Sequence, residues 1–150
     1  MRLKNKHTDN TLLYVAYGSN MNREQMLYRC PNAVEICGTY IEGWQLTMPF
    51  YANIEPQPGS RTPAIIWKIN KDDELALDSY EGYPNLYGKA DIIVAVNGSP
   101  ISAMAYIMAD EYKNRSDLKA WNGYEEMIVR AYKAAGFQES EYAPRRVQDK

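Results

Sequence analysis

Histidine and cysteine are scarce in this chain. One histidine, His7, and two cysteines, Cys30 and Cys37, occur in 150 residues. A zinc site needs several such ligands, so no metal centre is expected. The cysteines lack Cys-x-x-Cys spacing and no signal peptide is evident, which points to a reduced, cytoplasmic setting without disulfides. His7 lies in a polar lead-in, so neither a Ser-His-Asp nor a Cys-His arrangement has its base. Long apolar runs are missing too. None approaches the ~18 residues of a membrane span. Blocks of lysine and arginine are absent, the net charge is −2, and nucleic acid is therefore not an expected partner. Gly-x-Gly-x-x-Gly and Walker spacings do not occur, which removes the usual support for nucleotide binding.

What is present is an ordinary globular composition, 45% apolar and 24% charged, in a chain long enough to bury roughly 70% of its unfolded surface in one core. The unusual number is 13 tyrosines. Each joins a large apolar body to a hydroxyl, so the interior can be partly polar, and most are expected as half-buried packing residues.

The chain is organised around Leu12–Met21, LLYVAYGSNM. Leu12–Ala16 has the composition of a buried strand. It stops at Tyr17-Gly18-Ser19-Asn20, where Gly18 permits a sharp turn. Asn22 and Gln25 then carry capping-box spacing at the start of a helix over Met21–Cys30, with Met26 and Leu27 facing the core. Backbone N–H groups at such a strand–loop–helix junction favour an anion or a polarised oxygen. The other reading is a turn of common Gly-Ser-Asn chemistry with no further role.

Beyond Pro31, strands are expected over Ala33–Ile41, with Val34, Ile36 and Tyr40 inward, and over Trp44–Tyr51, separated by a turn at Glu42-Gly43. Asn53–Arg61, with Pro56, Pro58 and Gly59, reads as a loop. Thr62–Ile69 reads as a central strand. Lys71–Tyr80 is a helix with Asp72, Asp73 and Glu74 in its first turn and Gly82 as its cap. Asn97-Gly98 predicts a hairpin joining Tyr87–Val96 to Ser99–Ala109. Asp110–Asp117 is a polar connection. Tyr124, Met127, Ile128, Ala131 and Ala135 form the apolar stripe of a last helix. The expected fold is α+β, a single domain over residues 12–137. Its sheet is curled or barrel-like, mixed but mostly antiparallel, with about six strands and about three helices. Residues 1–11 and 138–150 are expected as flexible termini, and the chain as a monomer or homodimer.

Glu81 is the strongest candidate for proton chemistry. It follows Leu77 by four residues, so an inward Leu77 turns Glu81 inward as well. Desolvation, the negative helix terminus and Asp78 would all raise its pKa towards the range of a general base near neutral pH. An exposed glutamate at a helix end is the alternative. Ser19 as a nucleophile lacks a base. Arg23 and Lys89 are candidate carboxylate binders or solvated charges.

Tyr17-Gly18-Ser19-Asn20-Met21 after a strand resembles the signature loop of the gamma-glutamyl cyclotransferase-like family. Ala64-Ile65-Ile66-Trp67, Leu77-Asp78-Ser79-Tyr80-Glu81-Gly82 and Tyr87 resemble its second block. Asn53-Ile54, Pro56 and Gly59-Ser60 resemble its connecting loop, and Tyr124 and Ile128 its closing helix. Pro63-Ala64 departs from the pattern, since members often carry a glycine there. The resemblance spans about Leu13 to Phe137. It implies cyclisation of a gamma-glutamyl compound to 5-oxoproline, without cofactor or metal, with release of an amine or amino acid. Glu81 is then the general acid/base. Tyr17, Gly18, Ser19, Asn20 and Met21 bind the glutamyl group, and Tyr106 and Tyr124 either turn hydroxyls into the pocket or pack in the core. A non-catalytic binding module of the same fold is the alternative.

Overall fold

The computed structural model describes residues 11–115 and 117–146. His7, nearly all of the N-terminal lead-in and residues 147–150 lie outside the described residues. The strands are β1 (Leu12–Ala16), β2 (Val34–Met48), β3 (Asn53–Ile69), β4 (Tyr87–Val96), β5 (Ser99–Met108) and β6 (Arg145–Arg146). The helices are α1 (Arg23–Arg29), α2 (Lys71–Glu81), the single turn α3 (Asp110–Lys113) and α4 (Tyr124–Ala134). One six-stranded sheet has the order β4-β5-β1-β3-β2-β6. β1 is antiparallel to β3 and parallel to β5. Its position explains its apolar run: Tyr14, Val15 and Ala16 are all buried, as expected of a strand covered on both faces. The sheet curls until Thr39 Oγ1 of β2 donates to the Ala95 carbonyl of β4 at 2.7 Å, although these strands are not neighbours in the order. This curled sheet with three main helices is the architecture the sequence predicts. No helix among the described residues is long and apolar enough to cross a membrane.

Two expectations along β2 and β3 are corrected. The Glu42-Gly43 turn does not exist. β2 runs through it with a bulge between Glu42 and Trp44, and Gly43, at φ +85, absorbs the extra residue. The Asn53–Arg61 loop is also strand. Trp44 pairs with Pro56 and Glu42 with Arg61. β1 pairs only with residues 65–69 of β3, so the other edge of β3 is open at its start, and prolines without an N–H are tolerated there. Pro63 likewise sits in regular register opposite Tyr40. A second bulge, between Glu35 and Cys37, shifts the side-chain alternation by one. Val34 and Ile36, expected inward, lie on the outward face of β2, and Leu27 of α1 is also exposed.

The hairpin forms as expected, with Asn97 at φ 52 and Gly98 at φ 84. α2 begins with a reciprocal capping box between Asn70 and Asp73. It ends on Gly82 in the left-handed region, where a side chain would be strained. Residues 138–146 carry structure that the polar sequence does not signal. Glu139–Glu141 forms a 3-10 turn and β6 adds to the end of β2, where Arg146 pairs with Glu125 of α4 at 2.8 Å.

Candidate functional site

Five elements converge at the C-terminal end of β1 around a cavity of about 320 Å³. β1 leads into a 3-10 turn, Ser19–Met21, before α1. The turn uses the N–H groups of Met21 and Asn22 on the carbonyls of Gly18 and Ser19, each at 3.0 Å. Those of Gly18, Ser19 and Asn20 are not consumed by it, which leaves donors beside the cavity. Asn22 caps α1 by accepting the Gln25 N–H at 2.9 Å. Gln25 does not return the bond. Its side chain accepts instead from Arg29 at 2.6 Å.

Glu81 faces the turn across the cavity. Leu77 is fully buried and carries Glu81 inward one turn later, as the spacing predicts. The residue is half-buried, and the surface it retains looks into the cavity. Burial pushes its carboxyl up from 4.5 to about 8, against a smaller downward pull from Arg29. Desolvation alone therefore accounts for the upward shift. Asp78 turns away, accepting from the Tyr106 hydroxyl at 2.6 Å and pairing with Lys89 at 2.9 Å.

Asn20 connects the two walls. Its Nδ2 donates to the Tyr14 hydroxyl at 3.0 Å and reaches Glu81 Oε2 at 3.5 Å. Its Oδ1 accepts from Arg29 at 2.6 Å, and its backbone carbonyl accepts the Trp67 indole N–H at 3.2 Å. Arg29 also stacks on the Tyr80 ring, 3.5 Å from its centroid. The Tyr80 hydroxyl meets Ser19 Oγ at 3.1 Å. Loop, helix α1 and the Glu81 helix thus share one hydrogen-bonded network.

Tyrosines make most of the remaining wall. The Tyr17 hydroxyl donates to the Tyr106 carbonyl, and that of Tyr87 to the Ala52 carbonyl, both at 2.5 Å. The Tyr124 hydroxyl accepts the Ala52 N–H at 2.9 Å, which leaves its own proton for another acceptor. Burial raises the hydroxyls of Tyr14, Tyr17, Tyr87, Tyr106 and Tyr124, and the Glu81 charge adds to each. They stay protonated as hydrogen-bonding groups.

The structure gathers most of the residues singled out in the sequence. Tyr17, Gly18, Ser19, Asn20, Glu81, Tyr106 and Tyr124 all line the cavity. Met21 does not; it is buried in the core. The Tyr106 ring lines the wall, but its hydroxyl points to Asp78. Ser19 meets a phenol, not an imidazole. Arg23 pairs with Glu35 at 2.6 Å on the surface, and Lys89 with Glu74 and Asp78. Cys30 is buried, and burial pushes its thiol up to about 11, so it is a poor nucleophile. Among the described residues no three His, Cys, Asp or Glu side chains gather as metal ligands. Arg29, Tyr51 and Trp121 also belong to the site, at positions the sequence reading does not single out. Arg29 had one visible signal: it follows Gln25 by four residues, on the helix face that turns towards Asn20.

A buried carboxyl of this pKa can take and return a proton near neutral pH, beside free amides suited to a negative oxygen. The family model described as gamma-glutamyl cyclotransferase, AIG2-like matches residues 14–125, which contain every lining residue of the cavity. Gamma-glutamylcyclotransferase of Mus musculus is 29% identical over 114 residues, 67% of this chain and 61% of that protein. The Homo sapiens protein of the same name is 28% identical over 116 residues, 68% of this chain and 62% of its own length. The matched region thus spans about three fifths of these relatives. A solved structure of a gamma-glutamyl cyclotransferase superposes with a TM-score of 0.71 at 24% identity, covering 87% of this chain and 84% of the other. The chain belongs to the gamma-glutamyl cyclotransferase, AIG2-like family.

Proposed function

We propose that the cavity cyclises a gamma-glutamyl compound to 5-oxoproline and releases an amine. The observation that carries this reading is Glu81, a carboxyl with its pKa pushed to about 8, facing the Gly18–Asn20 amides across a cavity of about 320 Å³. The substrate's α-amine is mostly an ammonium at neutral pH, and Glu81 removes its proton. The freed nitrogen attacks the γ-carbonyl carbon, and a carbon–nitrogen bond forms. As the tetrahedral intermediate collapses, the bond to the leaving nitrogen breaks; that nitrogen takes the proton held by Glu81 and the second proton shed by the ring nitrogen, and departs as an ammonium. No water is consumed, and the carboxylate is restored. The turn amides, with the Tyr124 hydroxyl, hold the negative oxygens of the glutamyl group. Folding amine and carbonyl together in the cavity contributes several kcal/mol, about the scale of intramolecular pre-organisation.

Incubating the protein with a panel of gamma-glutamyl compounds should release 5-oxoproline. Its kcat/KM should rise with pH and level off above about 8, because the base acts only when deprotonated. Binding of 5-oxoproline by folded protein with no product from any substrate would favour a binding module instead.

Gly18→Ala tests the approach of the turn. A Cβ there would meet the Ala52 Cβ at 3.1 Å and lie 3.6 Å from the Tyr124 hydroxyl. The expected result is a rise in KM of about tenfold, the size of effect that a crowded or displaced contact produces, read by steady-state kinetics.

A further inference from the structure

The cavity has two ends of different character. The deep end is polar: Asn20, Tyr14, Tyr17 and Tyr106 are nearly or fully buried there beside Glu81. The mouth is aromatic. Trp121, 44% exposed, and the half-buried Tyr51 stand at the solvent side. They come from two separate connections, β2–β3 and α3–α4, and meet on Tyr124. Tyr51 packs on the Tyr124 ring at 5.1 Å between centroids, and Trp121 contacts it edge-on at 5.4 Å. Phe50 backs Tyr51 at 5.2 Å. These contacts hold the two mouth rings in place.

Charge separates the ends further. No lysine or arginine lines the cavity among the described residues. Arg29, behind Tyr80, has its N–H groups on Asn20 and Gln25. The carboxylate that lines the cavity is Glu81.

On the proposed reaction the glutamyl unit must reach Glu81 and the turn amides, so the leaving group points to the mouth. A leaving group with its own carboxylate would set that charge against aromatic rings, whose faces carry negative potential, with no lysine or arginine among the residues that line the cavity to pair it. We infer that Tyr51 and Trp121 select gamma-glutamyl compounds whose leaving group is an amine that bears an aromatic ring and no carboxylate, of the benzylamine type. This inference rests on the cyclisation reading and assigns the mouth its substrate class.

Four substrates test it: gamma-glutamyl derivatives of benzylamine, methylamine, phenylalanine and alanine. They vary aromatic ring and carboxylate independently. The expected order places the benzylamine derivative about tenfold above each of the other three in kcat/KM, the scale of one aromatic contact. Trp121→Ala should reduce the benzylamine-to-methylamine ratio to near unity. Tyr51→Leu, at the facing ring, should lower the same ratio. Turnover of all four at similar rates, a preference for the phenylalanine or alanine derivative, or a ratio unchanged in both variants would overturn the inference and leave cyclisation standing. No 5-oxoproline from any of the four would overturn both.

Discussion

Replacing Glu81 by glutamine is expected to lower kcat for 5-oxoproline release about a thousandfold with KM little changed, the loss typical of a general acid/base. Glutamine keeps the shape of the side chain and its contact with Asn20 but cannot carry the proton. The same substitution should stabilise the fold at alkaline pH. The Glu81 carboxyl is raised from 4.5 to about 8 in the folded protein, so folding favours its neutral form. Below pH 4.5 the group is protonated in both states and contributes nothing. As pH rises from there to about 8 the unfolded chain ionises freely while the folded protein resists, and stability is lost. Above 8 the penalty is complete. After discounting for the half-buried position, it is on the order of 3 kcal/mol. Denaturant unfolding should therefore find the variant more stable than the parent at pH 9 and equal to it at pH 4. A variant that is inactive but no more stable at pH 9 would place an ordinary carboxylate at this position.

Arg29→Met carries the second large effect. The guanidinium fixes Asn20 by a 2.6 Å bond to its Oδ1, and this sets which end of the amide faces Glu81. It also pulls the Glu81 pKa down. Methionine preserves the stem but leaves a buried amide oxygen without its donor, at a cost of about 1–3 kcal/mol. It also removes the opposing charge, so the Glu81 pKa rises further. The expected outcome is a fall in kcat/KM at pH 7 of about 10- to 100-fold, with the rising limb of the pH profile displaced to higher pH. Arg29→Lys should recover the position of the limb, because the charge returns, but only part of the rate, because the fork geometry does not. A uniform loss with no displacement of the limb would assign Arg29 to folding alone.

The parts of the site legible in the sequence are those governed by local rules. The strand–glycine–turn of Leu12–Asn20 and the Leu77–Glu81 spacing each follow from neighbours in sequence, and both land on the cavity. The Asn97-Gly98 hairpin follows from turn chemistry and forms in the predicted register. What the sequence conceals depends on distant partners. The prolines of Asn53–Arg61 signal a loop, yet a long antiparallel pairing with β2 and one open edge make it strand. Val34 and Ile36 alternate as a strand should but lie on its outward face, and alternation alone does not mark which of the two faces meets the core. Met21 lies in the signature loop but turns into the core, because the 3-10 turn rotates it away from Asn20. Composition alone predicts tyrosines mainly as packing; seven of the thirteen line the cavity, collected from separate elements of the fold. Arg29, Tyr51 and Trp121 gain meaning only once the elements that bear them are assembled.

The carboxyl across from the glycine turn is expected to carry its proton at neutral pH and to surrender it as the rate rises. Carbon-13 NMR of protein labelled at glutamate carboxyls, with Glu81→Gln to identify the resonance, measures that titration directly. The expected midpoint is near 8 and coincides with the rising limb of kcat/KM. A Glu81 resonance that titrates near the ordinary carboxylate value of 4.5, while the rate still climbs towards pH 8, would contradict it.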